Sequence, residues 1–204
     1  MKTTYKDFSQ KFSNKYVNIG NNFFKDYKIN WYKNIYSTMD KVDHNMEQNI
    51  FNEIVVSDYQ SRGKGRFNRT WDSKQGEDLL VSIPMILDKT FAGKIPVIVS
   101  LAVFRTVSNF MNIKKFIFIK WPNDILVNKK KISGILIKSK IQNSRAILFN
   151  IGIGININSE NNISEYESTS FFSETNNKFS RENVLMELCK QISLNLDLDY
   201  AKCV

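Results

Sequence analysis

Short runs of apolar residues, separated by turn residues, recur along most of the chain and favour β-strands. Residues 53–59 and 78–87 form two such runs, and the second predicts a buried strand that ends near Pro84. Residues 31–36 predict an earlier strand. Four further runs follow, at residues 116–121, 125–127, 131–138 and 145–158, and the last three are successive strands joined by short turns. This spacing predicts an antiparallel meander.

Three other segments carry apolar residues at helical spacing. Residues 39–48 follow Ser37 and Thr38, and either hydroxyl is suited to cap a helix. Residues 93–112 predict a second helix, and a third begins near residue 180 with one apolar face. Strands and helices in this order predict an α+β fold, in which helices flank a mixed, largely antiparallel central sheet.

Length and composition limit the chain to one domain and a few classes of protein. Its 204 residues, 42% of them hydrophobic, suffice for one domain with a substantial core. Residues 1–30 predict a lead-in segment and residues 159–180 a loop. The longest apolar stretch, residues 95–103, is far shorter than a membrane span, and residues 1–20 lack the apolar part of a secretory signal. The sequence therefore predicts a cytoplasmic protein without a membrane segment.

The chain is basic and poor in metal-binding side chains. Lysine and arginine outnumber aspartate and glutamate by 29 to 20, a net charge of +9 that favours anionic ligands or partners. Cys189 and Cys203 form no CxxC or Cys/His pattern, and His44 is the only histidine. We therefore expect no metal cage and no Cys/His nucleophile pair, and we expect Cys189 to lie in the core.

One loop concentrates both positive charge and glycine. Residues 60–71 contain two glycines and four cations, namely Gly63, Gly65, Arg62, Lys64, Arg66 and Arg69. Glycine lets the backbone approach a ligand closely, and arginine offers a bidentate fork to carboxylate or phosphate. The loop predicts an anion site, although an exposed basic hairpin explains the loop alone equally well.

A second polar cluster interrupts the predicted meander. Lys120, Asn123, Asp124 and Lys131 stand between apolar runs, where an ordinary strand carries no such residues. Pro122 prevents a regular ladder hydrogen bond, so the strand ends there and presents Asn123 and Asp124 at its tip. The cluster therefore indicates a site at the end of a strand.

Five segments carry a family resemblance. They are Tyr36-Ser-Thr38, Gln60 to Trp71, Lys120-Trp-Pro-Asn-Asp124, Lys131-Ile-Ser-Gly-Ile-Leu136 and Ile151-Gly-Ile-Gly-Ile-Asn156. In order and spacing they resemble biotin protein ligases, which attach biotin to carboxylase carrier domains. The resemblance implies a catalytic domain of the class II aminoacyl-tRNA synthetase and biotin protein ligase type over residues 31–204. The chain leaves no room for the N-terminal winged helix of repressor-type members, so we expect no DNA binding, and we expect no SH3-like C-terminal domain after the last helix.

The resemblance also implies roles for individual residues. Biotin would be bound by Ser37, Thr38, Gln60, Gly63, Lys64, Gly65, Arg66, Lys131 and Gly134. The nucleotide would be bound by Lys64, Arg69, Trp71, Asn123, Lys131 and Asn156. The catalytic residues would be Lys131, Lys120, Asp124 and Arg66. ATP and Mg²⁺ would be required, with the ion held by the ATP phosphates and Asp124 a candidate ligand. The implied partner is a biotin carboxyl carrier domain, and the implied assembly is a monomer or homodimer.

Two residues depart from the family pattern. Lys64 stands where arginine is common, which keeps the charge but loses the bidentate fork. Met39 stands where asparagine commonly follows Ser-Thr. Two other functions stay open, because a lipoate ligase shares the fold and a non-catalytic basic module would explain residues 60–71. An octanoyl transferase would need a nucleophilic cysteine, a role for which Cys189 and Cys203 are poorly placed.

Overall fold

A computed structural model describes residues 15–16, 22–111, 116–160 and 167–200. Within these residues eight strands form one sheet: β1 (Lys15–Tyr16), β2 (Lys28–Tyr32), β3 (Glu53–Ser57), β4 (Leu79–Asp88), β5 (Ile117–Lys120), β6 (Asp124–Val127), β7 (Lys130–Ile141) and β8 (Ala146–Ile155). The α-helices are α1 (Thr38–Glu47), α2 (Ile95–Phe110), α3 (Phe171–Thr175) and α4 (Arg181–Tyr200). None of the helices in this described part is long and apolar enough to cross a membrane.

The sheet is mixed but largely antiparallel. Its strand order is β1-β2-β3-β4-β8-β7-β6-β5. β2 and β3 run parallel, and every other neighbouring pair is antiparallel. Strands β6 to β8 form the three-strand meander that the turn spacing predicts, and β5 extends it by one antiparallel strand. The predicted α+β class is therefore confirmed.

Helices cover the two faces of the sheet. On β3, Ile54 and Val56 belong to the main hydrophobic core with residues of α2 and α4. Val55 lies between them and packs instead with Val42 of α1. Because successive strand side chains point to opposite faces, α1 lies on the face opposite α2 and α4. Beyond α1, that face stays open to a cleft over β7 and β8.

Buried polar contacts fasten α2 to α4 on the core face. The Asn195 side chain donates a hydrogen bond of 3.0 Å to the Ile98 carbonyl and accepts one of 2.5 Å from Arg105. Around these contacts, Ile98 and Leu196 are buried with the other apolar residues of the two helices. Since burial of such side chains supplies most of the stability of a helix pair, α2 and α4 form the rigid backing of the sheet.

Three sequence-based boundaries need correction. The strand predicted at residues 31–36 is β2, which covers Lys28–Tyr32, because Lys28 and Ile29 already pair with β3. The proposed domain boundary at residue 31 therefore falls inside a strand, and Phe24 and Ile29 are buried in the core. The predicted loop at 159–180 contains α3, which Ser170 caps by accepting a hydrogen bond of 3.0 Å from Ser173.

The predicted strand end near Pro84 is also wrong. β4 continues through Pro84 to Asp88 and pairs with β8 along its whole length. β3 pairs with β4 only over residues 80–82, so that Pro84 has one neighbouring strand instead of two. Proline is tolerated in such an edge-like setting, because its missing N–H interrupts no ladder on the open side.

Candidate active site

A cleft of about 650 Å³ opens beside the N-terminus of α1. Its walls come from the loop at residues 60–72, the turn between β5 and β6, and strands β7 and β8. The sequence-predicted site residues that line it are Ser37, Thr38, Gln60, Lys64, Gly65, Arg66, Arg69, Trp71, Lys120, Asn123, Asp124, Lys131 and Gly134. Segments far apart in the sequence therefore meet at one place.

Two glycines directly opposite each other form the floor of the cleft. Gly134 of β7 pairs with Gly154 of β8, and the Trp71 ring lies against both. A Cβ atom built on Gly134 would stand 2.6 Å from the Trp71 ring, and one on Gly154 would collide with the ring as well. Glycine is therefore required at both positions so that the indole can lie flat on the sheet.

Lys131 and Trp71 are in contact at the centre of the cleft. The Lys131 Nζ lies 5.3 Å from the Trp71 ring centroid and 2.8 Å from the Asp124 carboxylate. An aromatic face and a carboxylate both attract an ammonium group, so that these contacts hold Lys131 in one orientation. The Trp71 Nε1 is buried and has no hydrogen-bond partner among the described residues.

The cleft ends in a buried polar pocket. The Thr38 backbone N–H donates a hydrogen bond of 2.7 Å to Gln60 Oε1, which fixes the orientation of that amide. The Thr38 hydroxyl must then donate its own hydrogen to the same oxygen, at 3.0 Å. Its remaining neighbour, the Ser82 hydroxyl at 2.8 Å, must donate to it. This series of hydrogen bonds leaves the Gln60 Nε2 group as a donor that faces away from Thr38.

The prediction that a hydroxyl caps α1 is wrong. Ser37 occupies the N-cap position, but its side chain makes no capping hydrogen bond. Ser37 is completely buried, lines the cleft, and its Oγ has no partner among the residues described. An unpaired buried hydroxyl is costly, so this atom is suited to bind a polar ligand group.

The basic loop folds as a lid over the cleft. Lys64 forms an ion pair with Asp40 of α1, and Arg66 donates a hydrogen bond of 2.5 Å to Asn123 in the β5–β6 turn. Within the loop, the Gly65 N–H donates to the Arg69 carbonyl at 2.7 Å. The loop is thus attached to both walls of the cleft, which an exposed hairpin would not be.

Two predicted site residues do not line the cleft. Gly63 lies within the lid and packs against the lid's own backbone, since an added Cβ would collide with the Trp71 carbonyl. Asn156 donates from its side chain to the Thr169 carbonyl at 2.9 Å. Residues 167–169 in turn bracket Lys131, since the Lys131 N–H donates to Glu167 and the Thr169 N–H donates to Lys131. Asn156 therefore supports the strand segment that carries Lys131.

Sequence reasoning missed several residues at the cleft. Ser82 lies in a nearly uniform apolar strand, and its importance follows only from its contact with Thr38. Lys129 and Glu167 also line the cleft. Lys129 belongs to a run of lysines in a turn, and it adopts a φ of 69°. A local pattern therefore predicted a turn there and gave no indication of a ligand.

The Cys189 thiol lies in the core and outside the cleft. Cys189 is completely buried among the residues of the main hydrophobic core, as predicted. Burial raises the pKa of this thiol to about 12. A thiol that is inaccessible and protonated is inert as a nucleophile.

The match to a family model decides the classification. The model of the biotin/lipoate A/B protein ligase family matches residues 31–158. The chain belongs to this family. Among curated relatives, it is 32% identical over 167 residues to the bifunctional ligase/repressor BirA of Bacillus spizizenii, covering 77% of this chain and 50% of that protein. It is 36% identical over 135 residues to biotin–protein ligase 2 of Arabidopsis thaliana, covering 64% of this chain and 40% of that protein.

Solved structures of biotin protein ligases share the fold. The enzyme from Aquifex aeolicus in complex with biotin and ATP has a TM-score of 0.67 at 28% identity, covering 83% of this chain and 70% of that one. The enzyme from Leishmania major in complex with biotinyl-5-AMP has a TM-score of 0.68 at 24% identity, covering 83% and 75%. The chain itself spans half of the length of the first of these curated relatives and less than half of the second.

Proposed function

We propose that this chain is the catalytic unit of an ATP-dependent biotin protein ligase. It would join biotin and ATP to form biotinyl-5′-AMP and then transfer biotin to a lysine of a biotin carboxyl carrier domain. One observation carries the proposal. The cleft places a buried polar pocket beside a row of cations over a glycine floor, which matches a ligand with a polar head and an acidic tail.

The buried pocket suits the ureido group of biotin. That group has one carbonyl acceptor and two N–H donors, so its binding site needs both kinds of partner. Ser37 Oγ is able to donate or accept, and Gln60 Nε2 is left as a donor by its bonds to Thr38. Met39, almost fully buried against Gly152, adds an apolar wall next to this pocket.

The cations suit the reaction between two anions. The biotin carboxylate must attack the α-phosphorus of ATP, and two unit charges about 4 Å apart repel by about 4 kcal/mol at an effective dielectric constant near 20. Lys131, Lys64 and Arg66 line the same cleft and would offset this repulsion and the charge that develops on phosphoryl oxygens. The carboxylate is the nucleophile, pyrophosphate leaves, and no covalent enzyme intermediate is needed.

Transfer uses the same cleft in a second step. The acceptor lysine, as its free amine, attacks the carbonyl carbon of the mixed anhydride, an amide bond forms and AMP leaves with the bonding electron pair. Asp124 lies 2.8 Å from Lys131 at this centre and is placed to accept the proton or orient the amine. Trp71, Asn123 and Arg69 line the part of the cleft that would receive the nucleotide.

Magnesium fits this cleft as part of the nucleotide substrate. The cleft carboxylates are Asp72, Asp124 and Glu167, and Asp124 is already paired with Lys131. The described residues contain no group of three or more acidic, histidine or cysteine side chains arranged for a metal ion. We therefore assign Mg²⁺ to the ATP phosphates and not to a resident protein site.

The alternatives receive less support. A lipoate ligase has the same fold, but its substrate has no ureido group to pair with Ser37 and Gln60. An octanoyl transferase lacks support among the described residues, because Cys189 is buried in the core and Cys203 lies outside those residues. A simple basic binding module does not explain a lid attached to both cleft walls.

Exchange of labelled pyrophosphate into ATP tests the proposal. We expect the exchange to depend on biotin and to be insensitive to lipoate. Exchange stimulated by lipoate alone would assign the chain to the rival activity, and absence of exchange with either acid would refute adenylation. A heat-denatured sample provides the background rate.

A further inference from the structure

Two large aromatic side chains stand exposed at the mouth of the cleft. Phe67 is 80% exposed and Trp121 is 60% exposed. Phe67 follows Arg66 in the lid, and Trp121 lies two residues before Asn123 in the β5–β6 turn. The hydrogen bond between Arg66 and Asn123 brings these two segments together across the cleft. We call Phe67 and Trp121 the mouth aromatics.

The exposure of the mouth aromatics is unfavourable in the isolated chain. Phe67 also adopts a left-handed conformation with φ 55° and ψ 41°, which is uncommon for a residue other than glycine. The centroid of its ring lies 4.8 Å from the Arg66 guanidinium carbon, while most of its surface faces solvent. Exposed aromatic side chains of this size are typical of protein interfaces, where burial in a partner stabilises them.

The charge around the mouth is predominantly positive. The cations that line the cleft are Lys64, Arg66, Arg69, Lys120, Lys129 and Lys131. The acidic residues that line it are Asp72, Asp124 and Glu167. Six cations against three acids give this opening an excess of positive charge. A protein that approaches it is favoured if its own surface is acidic.

We propose that the mouth aromatics are a docking site for the acceptor protein, which packs against Phe67 and Trp121 with an acidic surface around its target lysine. The proposal rests on the proposed ligase function and names the surface that the second substrate recognises. The lysine must enter through this opening, so contacts at its rim would position the amine over the activated carbonyl carbon.

Single-stranded nucleic acid is the other macromolecule that binds aromatic and basic side chains. Such binding uses a groove with successive stacking platforms along the backbone path. Here the two segments that carry the aromatic residues meet at one opening, through the hydrogen bond between Arg66 and Asn123, and that opening leads to the candidate active centre. This arrangement favours a partner that inserts a single side chain.

Trp121→Ala separates docking from chemistry. Trp121 does not line the cleft and its side chain is mostly exposed, so we expect Trp121→Ala to fold as the wild type does, which the melting temperature checks. We expect KM for a recombinant biotin carboxyl carrier domain to rise by about tenfold, the effect of removing an interface aromatic. Trp121→Phe should restore most of the affinity. Ile141→Ala, at an apolar position that is 75% exposed and lies roughly 20 Å along β7 from Gly134, is the matched control.

Three measurements decide between docking and other roles. Biotin-dependent pyrophosphate exchange and the reaction of preformed biotinyl-5′-AMP with hydroxylamine should stay within about twofold of wild type, since neither uses the acceptor protein. The kcat/KM for the carrier domain should fall as salt rises, whereas the hydroxylamine reaction should not. If the wild-type protein shows no biotin-dependent pyrophosphate exchange, the ligase function itself is refuted.

The docking proposal fails separately if exchange is normal but Trp121→Ala leaves the carrier KM unchanged. It also fails if Trp121→Ala slows the hydroxylamine reaction as much as carrier transfer, because Trp121 would then act on the chemistry. A single-stranded oligonucleotide that displaces the carrier domain and binds Trp121→Ala more weakly than wild type would assign the surface to nucleic acid instead.

Discussion

The Ser82 hydroxyl donates a hydrogen bond of 2.8 Å to the Thr38 hydroxyl, beneath the buried end of the cleft. Thr38 in turn holds Gln60 through two hydrogen bonds. A serine from an interior strand therefore fixes which atoms of the pocket donate and which accept. Ser82 touches no predicted ligand, and its effect passes through Thr38.

Ser82→Ala is expected to weaken biotin binding without preventing folding. Loss of one buried hydrogen bond costs about 1 kcal/mol, which corresponds to about a fivefold rise in KM for biotin. The KM for ATP should not change. Pyrophosphate exchange at varied biotin, and separately at varied ATP, measures the two constants. Ser193→Ala removes another fully buried serine hydroxyl, on the α4 side of the sheet, and should leave both values as in wild type; an equal rise there would indicate a general loss of stability.

Lys131→Ala is expected to lower the rate of adenylation by about two orders of magnitude or more, as for removal of a charge that stabilises the transition state. Single-turnover formation of biotinyl-5′-AMP measures this rate. Lys138→Ala is the matched control, because Lys138 lies on the same strand and pairs with Asp43 at 2.8 Å outside the cleft. Equal rates for the two variants would remove Lys131 from the active centre.

Arg66→Gly is expected to loosen the lid, because the hydrogen bond to Asn123 is lost. Biotinyl-5′-AMP would then escape before transfer and label bystander lysines on an added protein such as serum albumin. Mass spectrometry of both proteins after the reaction measures the fraction of stray labelling. Biotin confined to the carrier domain would show that Arg66 does not retain the adenylate.

Gly154→Ala is expected to displace Trp71 and to lower adenylation by about tenfold or more, since the new methyl group would occupy the space of the indole. If that collision is the cause, Gly154→Ala should have almost no further effect on the rate of adenylation in a chain that already carries Trp71→Ala. A double-mutant cycle detects this non-additivity. Gly93→Ala is the control, because no atom of the described residues lies within 4 Å of its added Cβ. Additive losses would contradict the contact.

Cys189 should make stability depend on alkaline pH. Burial raises the pKa of its thiol from 9.0 to about 12, so the unfolded chain loses this proton first as pH rises. The free energy of unfolding should therefore decrease between pH 9 and pH 12, and below pH 9 this contribution is fully present. Denaturant titrations across this range measure it. Cys189→Ala should be less stable at neutral pH, but its free energy of unfolding should decrease less as the pH rises above 9. An unchanged dependence on pH would show that Cys189 is not the group responsible.

Much of the fold and cleft follows from local sequence. The meander and the polar cluster around Pro122 were predictable because alternating strand patterns and proline act over a few residues. Ser82 and the ion pair between Lys64 and Asp40 were not, because each depends on packing between segments that are distant in sequence. The hydrogen bond from the Asn156 side chain to the Thr169 carbonyl was not predictable for the same reason, and the role of Asn156 at the nucleotide stays a prediction.

Residues 167–169 hydrogen-bond to both the N–H and the C=O of Lys131, and Asn156 secures them. The backbone of Lys131 is thus fixed by residues that lie farther along the sequence by about one-sixth of the chain length. A protein fragment that stopped after β8 would keep every strand of the sheet and still leave that lysine unsupported. The minimal unit that fixes Lys131 must therefore extend at least through Thr169, a constraint for any attempt to shorten or split this chain.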